Sequence, residues 1–382
     1  MRSKERVQRA FHFKNPDRVP MSPTTLKSDF FPVMPNIPRS WQPTNYPPHI
    51  KGDLSKFGSF FFRKFYYAWN DQHRKNLGLE KKWWETIREA INEWGILWRT
   101  SGTKSEDKTF GHPFKGPFSE NWDTLENWMP PDASDPERYR IIRSKLWKLL
   151  GRKRYTIGSI GVNGVFNLCS QLRGFQQLLI DFAKHPKEVE LLIEKILSFY
   201  LTQVRKLKEY YPSLDAIMWA DDMGTQKAPF MSPRIFKKFF KDSYKKVIDL
   251  THDLGMDFIL HSCGQILEIM PDLIEAGVNV FEFDSPLMTG VENFKHFAEE
   301  RKVAFWLSSN IQSTWVYGTP EEVEQEIKYY IREIGNNEGG LAIYEYGGKK
   351  ALKVPKENVK AQRRAVLKWG SYNEEGKIEW LT

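Results

Sequence analysis

Short apolar runs alternate with longer amphipathic segments from about residue 150 to the end of the chain. Each run is five or six residues long and mostly apolar, which is typical of parallel strands covered on both faces. The runs are 155–160, 216–220, 257–261, 279–283, 303–307 and 341–345. The repeated order of strand and then helix requires parallel strands joined by right-handed crossovers.

The amphipathic segments predict helices with recognisable ends. Ser232 can cap a helix that Pro233 opens, an apolar stripe of helical period follows, and Gly255 is placed to end it. Further helices are predicted at 186–210, 271–276, 291–300, 320–334 and 355–369. Residues 18–21 are predicted as a first strand, with one more strand still to be located. The count and the length fit a (β/α)8 TIM barrel, with a doubly wound open sheet as the alternative.

Residues 30–130 have a different texture from the rest. Eight of the 14 tryptophans lie here, among many prolines: Trp41, Trp69, Trp83, Trp84, Trp94, Trp98, Trp122 and Trp128. The stretch 100–119 is too polar and too rich in Gly and Pro for a long helix or a continuous strand. The tryptophans either pack a loop-rich subdomain or line the pocket of an organic ligand. We therefore predict one barrel domain over 1–382, in which 30–130 form an irregular, Trp-rich arm or lid.

Composition and charge exclude several classes of protein. The chain has 382 residues, of which 40% are hydrophobic and 27% charged, so it can bury a large core. Its net charge of +9 is spread along the chain, which argues against a nucleic-acid-binding arm. Two cysteines cannot form a disulfide framework, and no apolar signal core or 18-residue apolar run occurs. We expect a cytoplasmic protein.

Polar residues follow five of the predicted strands. In either parallel architecture, the chemistry lies beyond the carboxyl ends of the strands, so these residues are expected to converge on one face. They are Asp221, Asp222, His261, Ser262, Cys263, Gly264, Asp284, Ser308, Ser309, Asn310, Glu345 and Tyr346.

His261 and Cys263 are the first candidates for metal ligands. Imidazole and thiolate both bind zinc, and two ligands one residue apart on a loop can hold one ion. A catalytic zinc needs a third protein ligand, and the other cysteine, Cys169, has no neighbouring ligand pattern. The carboxylates that could complete the set are Glu345, Asp222, Asp221 and Asp284. Glu345 is preferred because it ends another predicted strand. In the alternative reading, Cys263 is a small buried residue and His261 only forms hydrogen bonds.

Asp221 and Asp222 are the next candidates, for general acid-base chemistry. Adjacent side chains usually point apart, so one is expected at the barrel mouth while the other caps a helix or pairs with an arginine such as Arg173. Asn163, Arg173 and Asn310 are predicted to contact a cofactor. The chain contains no P-loop, no nucleophile elbow and no HExxH helix.

Motifs along nearly the whole chain resemble the uroporphyrinogen decarboxylase superfamily, and within it the corrinoid- and zinc-dependent methyltransferases such as those acting on coenzyme M. The motifs are ERVQRAFHFKNPDRVPM at the start, EWGILWR at 93–99, GSIGVNGVFNLCSQLRGFQQLLID at 158–181, ADDMGTQKAPFMSP at 220–233, LHSCGQILEIMPDLIEAGVNVFEF at 260–283, YGTPEEV, GGLAIYEYGG and PKENV. The resemblance also implies a (β/α)8 barrel.

The chain departs from that superfamily in two places. True decarboxylases carry a Gln-Ala-Gly-Arg segment and a late Gly-His-Gly element, and this chain has neither, so cations for a polycarboxylate tetrapyrrole are not supplied in the usual way. In the methyltransferase branch, a His-x-Cys pair and a distant Cys bind zinc. His261 and Cys263 match the pair, whereas Gly347 stands near the place of the distant Cys.

The resemblance implies methyl transfer between a small substrate and a corrinoid (cobalamin) cofactor carried by a partner protein, because no corrinoid-binding segment is found in this chain. Zn²⁺ would be held by His261, Cys263 and Glu345, with Asp222, Asp221 and Glu345 as catalytic candidates. An oxygen ligand in place of sulfur makes zinc a harder Lewis acid, suited to an oxygen or nitrogen substrate. The alternatives are a decarboxylase of a tetrapyrrole or another acid, and a barrel that binds a ligand without turnover.

Overall fold

A computed structural model describes most of the chain. The described residues are 1–23, 28–38, 89–99, 101, 111–161, 163–300, 303–336 and 338–382. They group into two compact units, the first comprising Met1–Met34, Ile142–Gly164 and Leu207–Thr382, the second Pro35–Ile141 and Val165–Lys206. The prediction of one domain with an arm or lid over 30–130 stays a prediction, since most of that segment lies outside the described residues.

The strands of the described residues belong to two sheets. In chain order they are β1 (Met21–Ser22), β2 (Phe30–Val33), β3 (Glu89–Ile91), β4 (Leu97–Arg99), β5 (His112–Lys115), β6 (Tyr155–Ser159), β7 (Ala216–Ala220), β8 (Asp257–His261), β9 (Val280–Phe283), β10 (Ala304–Leu307) and β11 (Leu341–Tyr344). Eight of them pair in parallel in the order β1-β11-β10-β9-β8-β7-β6-β2, and β3, β4 and β5 form an antiparallel sheet.

The eight parallel strands form a nearly closed (β/α)8 barrel, as predicted. The strands follow one another around the sheet in chain order, without the reversal that an open doubly wound sheet requires. Between the two end strands, the backbone N–H of Asp29 donates to the carbonyl of Met21 at 3.0 Å. Predicted strands 216–220 and 257–261 match β7 and β8, and the strand still to be located is β2.

Inward-facing side chains fill the barrel. Phe30 stacks on Trp306 with ring centroids 4.4 Å apart, and Trp306 meets Tyr344 edge to face at 5.5 Å. At the amino-terminal end, Phe11 packs against Tyr155 at 5.6 Å. These residues belong to one buried cluster with small side chains from the other strands, so the interior is a packed core.

Helices separate the strands along the chain. In chain order they are α1 (Ser3–Phe11), α2 (Lys145–Gly151), α3 (Val165–Arg173), α4 (Phe175–Lys184), α5 (Pro186–Tyr210), α6 (Pro233–Phe239), α7 (Lys241–Asp253), α8 (Met270–Ala276), α9 (Val291–Glu299), α10 (Thr314–Tyr317), α11 (Pro320–Tyr330) and α12 (Lys356–Trp369). The helix predicted from Pro233 is two helices, because Phe240 departs from helical geometry with φ −116°. The helix predicted to reach residue 334 ends at Tyr330 and continues as a π-helical turn, Ile331–Gly335.

Aromatic packing organises the described part of the second unit. Trp94 lies edge to face on Phe199 at 4.8 Å, and Trp122 stacks on Phe118 at 5.8 Å. These two tryptophans therefore pack a core. Trp41, Trp69, Trp83 and Trp84 lie outside the described residues. None of the helices in the described ranges has the length and apolar character needed to cross a bilayer.

Candidate functional site

The carboxyl ends of β7, β8 and β9 bring polar side chains together. His261 is the last residue of β8 and pairs in register with Glu282 of β9. Side chains alternate between the faces of a strand, so Asp284, two residues beyond Glu282, lies on the same face. Asp222 and Cys263 each lie two residues beyond the ends of β7 and β8.

His261, Cys263 and Asp222 each present a donor atom to the other two. Nε2 of His261 lies 3.5 Å from Sγ of Cys263 and 3.5 Å from Oδ1 of Asp222. The ligand atoms of all three residues lie within 4.8 Å of one another. One nitrogen, one sulfur and one oxygen thus converge, which is a donor set that zinc accepts.

Glu282 holds the other nitrogen of the imidazole. Its Oε2 lies 2.5 Å from Nδ1 of His261. Burial works against a charged ring, but the nearby Glu282 and Asp222 carboxylates outweigh it, and the pKa of His261 lies well above its usual value. The carboxylate fixes the ring with Nε2 turned toward Cys263 and Asp222, as in carboxylate–histidine–metal arrangements.

The Cys263 thiol lies in an acidic environment. Its Sγ is 3.5 Å from Oδ2 of Asp284, and the other carboxylate oxygen of Asp284 accepts a hydrogen bond from the Tyr344 hydroxyl. Burial raises the pKa of Cys263 to about 12, against the effect of His261 and with that of Asp222 and Asp284. Burial also raises the pKa of Asp284 to about 6. A divalent cation would compensate this concentration of acidic groups.

Contacts between the loop after β7 and the loop after β8 fix the distance between Asp222 and Cys263. The backbone N–H of Cys263 donates to Oδ1 of Asp222 at 2.8 Å, and that of Gln265 to the carbonyl of Thr225 at 2.7 Å. Gly264 has φ +83°, and a Cβ there would lie 2.2 Å from the carbonyl oxygen of Gly224. The loops after β7 and β8 therefore meet backbone to backbone, which only glycine permits.

Comparison with known proteins places the chain in a family. Residues 113–369 match the family model of uroporphyrinogen decarboxylase (URO-D). The chain belongs to the uroporphyrinogen decarboxylase family. Methylcobamide:CoM methyltransferase MtaA of Methanosarcina barkeri (strain Fusaro / DSM 804) is 26% identical over 147 residues, 38% of this chain and 40% of that relative. The alignment thus spans less than half the length of that curated relative.

The fold of this family member also matches a solved structure. A methyltransferase from Methanosarcina mazei superposes with a TM-score of 0.61 at 16% identity, covering 96% of this chain and 99% of the other. At that identity the match shows the common barrel. The family model makes the chain an enzyme of the uroporphyrinogen decarboxylase superfamily, and part of it is similar to a curated methyltransferase.

Within this family barrel, the two adjacent aspartates point apart. Asp222 is half-buried beside His261, whereas Asp221 is fully buried and accepts a hydrogen bond from the Tyr244 hydroxyl at 2.7 Å. Burial opposes ionisation of Asp222, but hydrogen bonds from His261 and the Cys263 backbone hold its pKa below the usual value. The structure brings Asp222 to the site and keeps Asp221 in the core.

Glu345 is not beside His261 and Cys263. Lys349 binds its Oε2 at 2.8 Å, Nη2 of Arg363 binds the same oxygen at 2.8 Å, and Nε of Arg363 binds Oε1. Both carboxylate oxygens are thus engaged by cations, and the side chain is only 2% exposed. Of these two candidates for a third ligand, Asp222 stands next to the pair and Glu345 does not.

The predicted cofactor-binding residues lie in different settings. Arg173 is buried in the second unit, with Nε 2.6 Å from Oδ2 of Asp181 and its guanidinium 4.5 Å from the Trp122 ring. Asn310 is buried, and its Oδ1 accepts the backbone N–H of Gln312 at 3.0 Å. Both therefore have structural contacts, and Arg173 is not the partner of Asp221. Asn163 follows β6 at a half-buried position.

Glu282 and Tyr344 are members of the site that sequence reasoning did not single out. Both lie inside predicted strands, and their apolar neighbours favoured an interpretation as core residues. A signal was available for Glu282, because it precedes Asp284 by two residues and so shares its face. Tyr346 is also close: burial and the nearby Asp284 and Cys263 raise its pKa to about 12.

Proposed function

We propose that this protein is a zinc-dependent methyltransferase that moves a methyl group between a small substrate and a corrinoid (cobalamin) cofactor carried by a partner protein. The observation that carries the proposal is the convergence of His261 Nε2, Cys263 Sγ and Asp222 Oδ1, with Glu282 behind the imidazole. The name of the Methanosarcina barkeri relative, a methylcobamide:CoM methyltransferase, supports the type of reaction.

The donor set suits zinc in kind and in spacing. Ligands at about 2.0–2.3 Å from a tetrahedral ion lie roughly 3.3–3.8 Å from one another. His261 Nε2 lies 3.5 Å from both Cys263 Sγ and Asp222 Oδ1, within this range. His261, Cys263 and Asp222 would hold the ion, and the fourth position would remain for a substrate atom.

Zinc at this position would supply a Lewis acid for the heteroatom that gains or loses the methyl group. When zinc displaces the proton on Nε2 of His261, Glu282 would hold the remaining proton on Nδ1, so that Nε2 can act as a ligand. Asp284, whose pKa burial raises to about 6, can hold a proton beside Cys263 in mildly acidic solution. With an oxygen ligand in the set, we favour an oxygen- or nitrogen-linked methyl group as the one that is moved.

Decarboxylation of a polycarboxylate tetrapyrrole is less well supported. Such a substrate requires cationic groups at the barrel mouth. The residues described around His261 are instead the carboxylates Asp222, Glu282 and Asp284, while Lys349 and Arg363 are bound to Glu345. A barrel that binds a ligand without turnover would have no use for this donor set.

Metal analysis of the protein purified without chelator tests the proposal. We expect about one zinc per chain, lost in Cys263→Ser and retained in the matched control Cys169→Ser, which changes the buried thiol of α3. X-ray absorption should show one sulfur among nitrogen and oxygen ligands. Stoichiometric zinc in Cys263→Ser would refute the ligand assignment.

An activity assay tests the reaction itself. The protein is incubated with a reduced corrinoid protein and a set of methylated ethers and amines, and the conversion of the corrinoid to its methyl form is followed by its visible spectrum. Conversion that requires zinc supports the proposal. Porphyrinogen decarboxylation by the zinc-free protein would support the decarboxylase alternative instead.

A further inference from the structure

Helix α2 turns three leucines toward solvent. Leu146, Leu149 and Leu150 are 64%, 65% and 42% exposed. They stand at positions i, i+3 and i+4, so they form one stripe on the helix. Single exposed apolar residues are ordinary, but three on one face form a patch that indicates contact with another surface.

The opposite face of α2 fixes this orientation. Ser144 caps the helix by accepting the backbone N–H of Trp147 at 3.2 Å, and the half-buried Trp147 ring packs on Phe31 at 5.1 Å. Gly151 at the end of the helix is buried. The leucine stripe is therefore exposed because the other face of the helix is packed on the barrel.

Exposed cations surround the leucines. Lys145, Lys148, Arg152 and Lys153 are exposed, and the sequence from 142 to 154 has no acidic residue. None of the four forms an ion pair with any residue that the structure describes. Lysines on α7 behave differently: Lys245 pairs with Asp249 at 2.9 Å and Lys246 with Asp242 at 2.6 Å. We call these four cations and the three leucines the α2 surface.

The α2 surface lies away from the candidate metal site. Helix α2 leads into β6, and the carbonyl of Lys153 accepts the backbone N–H of Lys4 in α1. Helix α2 therefore ends at the amino-terminal end of the barrel strands, whereas Cys263 follows the carboxyl end of β8. A partner that exchanges a methyl group at the metal site does not need this surface.

We propose that the α2 surface docks the protein on an anionic lipid membrane. Lysine and arginine near acidic headgroups attract the protein, and leucines on the same short helix enter the boundary between headgroups and acyl chains. A second copy of the chain is a poor occupant, because a twofold interface would place the cations against one another. A protein partner is disfavoured because lysine is depleted in protein interfaces.

Vesicle sedimentation with the full chain tests the proposal. The protein should sediment at low salt with phosphatidylcholine vesicles containing about one third phosphatidylserine, and not with phosphatidylcholine alone. The variant Leu146→Ser/Leu149→Ser/Leu150→Ser should lose at least about tenfold in vesicle affinity. A matched control, Leu367→Ser, changes a leucine that is 56% exposed on α12 and should bind like the parent protein.

Charge provides the second arm of the experiment. Lys145→Glu/Lys148→Glu should also lose at least about tenfold in affinity for the anionic vesicles, and about 0.5 M salt should release the parent protein. Equal binding of parent and both α2 variants would overturn the proposal. Binding to a soluble acidic protein or polyanion without vesicle binding would overturn it in favour of an acidic macromolecule. Zinc content should stay unchanged throughout, so failure of this proposal is distinct from failure of the proposed function.

Discussion

The two ends of β8 carry similar residues in different arrangements. At the amino-terminal end, Asp257 lies 3.1 Å from Nε2 of His12 and accepts the Tyr155 hydroxyl. At the carboxyl end, His261 faces Cys263 and Asp222 through one nitrogen and Glu282 through the other. The first arrangement pairs donors with acceptors, whereas the second directs several lone pairs toward one place. A metal site is indicated by that convergence and not by residue types.

Cavity size is no better guide than residue type. A cleft of about 550 Å³ lies at the amino-terminal end, lined by residues that include His12, His252 and Asp257. His12 is paired with Asp257, and His252 lies 2.7 Å from Oδ1 of Asn279. The two histidines of this cleft are thus already paired. In TIM-barrel enzymes the active site lies at the opposite end of the strands.

The largest expected effect is the difference in zinc affinity between variants of His261 and of His12. His261→Ala removes a proposed zinc ligand and the partner of Glu282, so we expect zinc affinity to fall by about a thousandfold or more and the proposed methyl transfer to disappear. His12→Ala should leave zinc affinity unchanged. Competition with a zinc-binding dye measures both. Equal zinc affinity in the two variants would contradict a metal site at the carboxyl end of β8.

The next effect concerns the third ligand. Asp222→Asn should lower zinc affinity by about 100-fold, because a neutral amide replaces the anionic oxygen beside His261. Glu345→Gln should leave zinc bound and instead lower the melting temperature, because Arg363 and Lys349 lose their anionic partner. If Glu345→Gln loses zinc and Asp222→Asn keeps it, the original preference for Glu345 is right.

A smaller effect on zinc affinity is expected from Glu282, the carboxylate that contacts the imidazole of His261. Glu282→Gln keeps the size of the side chain but weakens the orientation of His261, so zinc affinity should fall by about tenfold. Asp257→Asn is the matched change at the other end. It should cost about 1–3 kcal/mol of folding free energy, since the buried Tyr155 loses a charged acceptor, without changing zinc affinity. Dye competition and thermal unfolding check the pair.

The smallest effect is a pH dependence of folding stability. The hydrogen bond that His12 donates to the Asp257 carboxylate raises the pKa of His12, against partial burial and the charge of Lys14. This contribution is complete below the unfolded pKa of about 6.5 and is lost as pH rises through the higher folded value. His12 is 43% exposed, so we expect less than about 1 kcal/mol. The melting temperatures of parent and His12→Gln should differ at pH 5 and converge near pH 9.

The barrel was predictable because its signals are local. Apolar runs covered on both faces fixed β7 and β8 to the residue. Strand β2 was missed because Pro32 argues against a strand. The structure tolerates it since β2 ends the ladder, where one side of the backbone has no strand partner among the described residues.

The candidate site was only partly predictable because its contacts join residues that are far apart in the chain. His261 and Cys263 followed from spacing on one loop. The contacts of Glu345 could not be predicted, because Arg363 is a residue of α12 whose reach toward the end of β11 has no local sequence signal. Arg173 pairs with Asp181 of α4, eight residues further along the chain, and not with Asp221.

The contact between Gly224 and Gly264 has a consequence for how the site could change in evolution or design. Two loops that touch through their backbones cannot lengthen or shift independently, so their separation is set when the chain folds, before any ligand arrives. The ordering entropy of Asp222 and Cys263 is then a folding cost and not a binding cost. The preference of the proposed site for one metal over another could therefore be changed by exchanging the two side chains, whereas an insertion in either loop would disrupt the positions of both side chains.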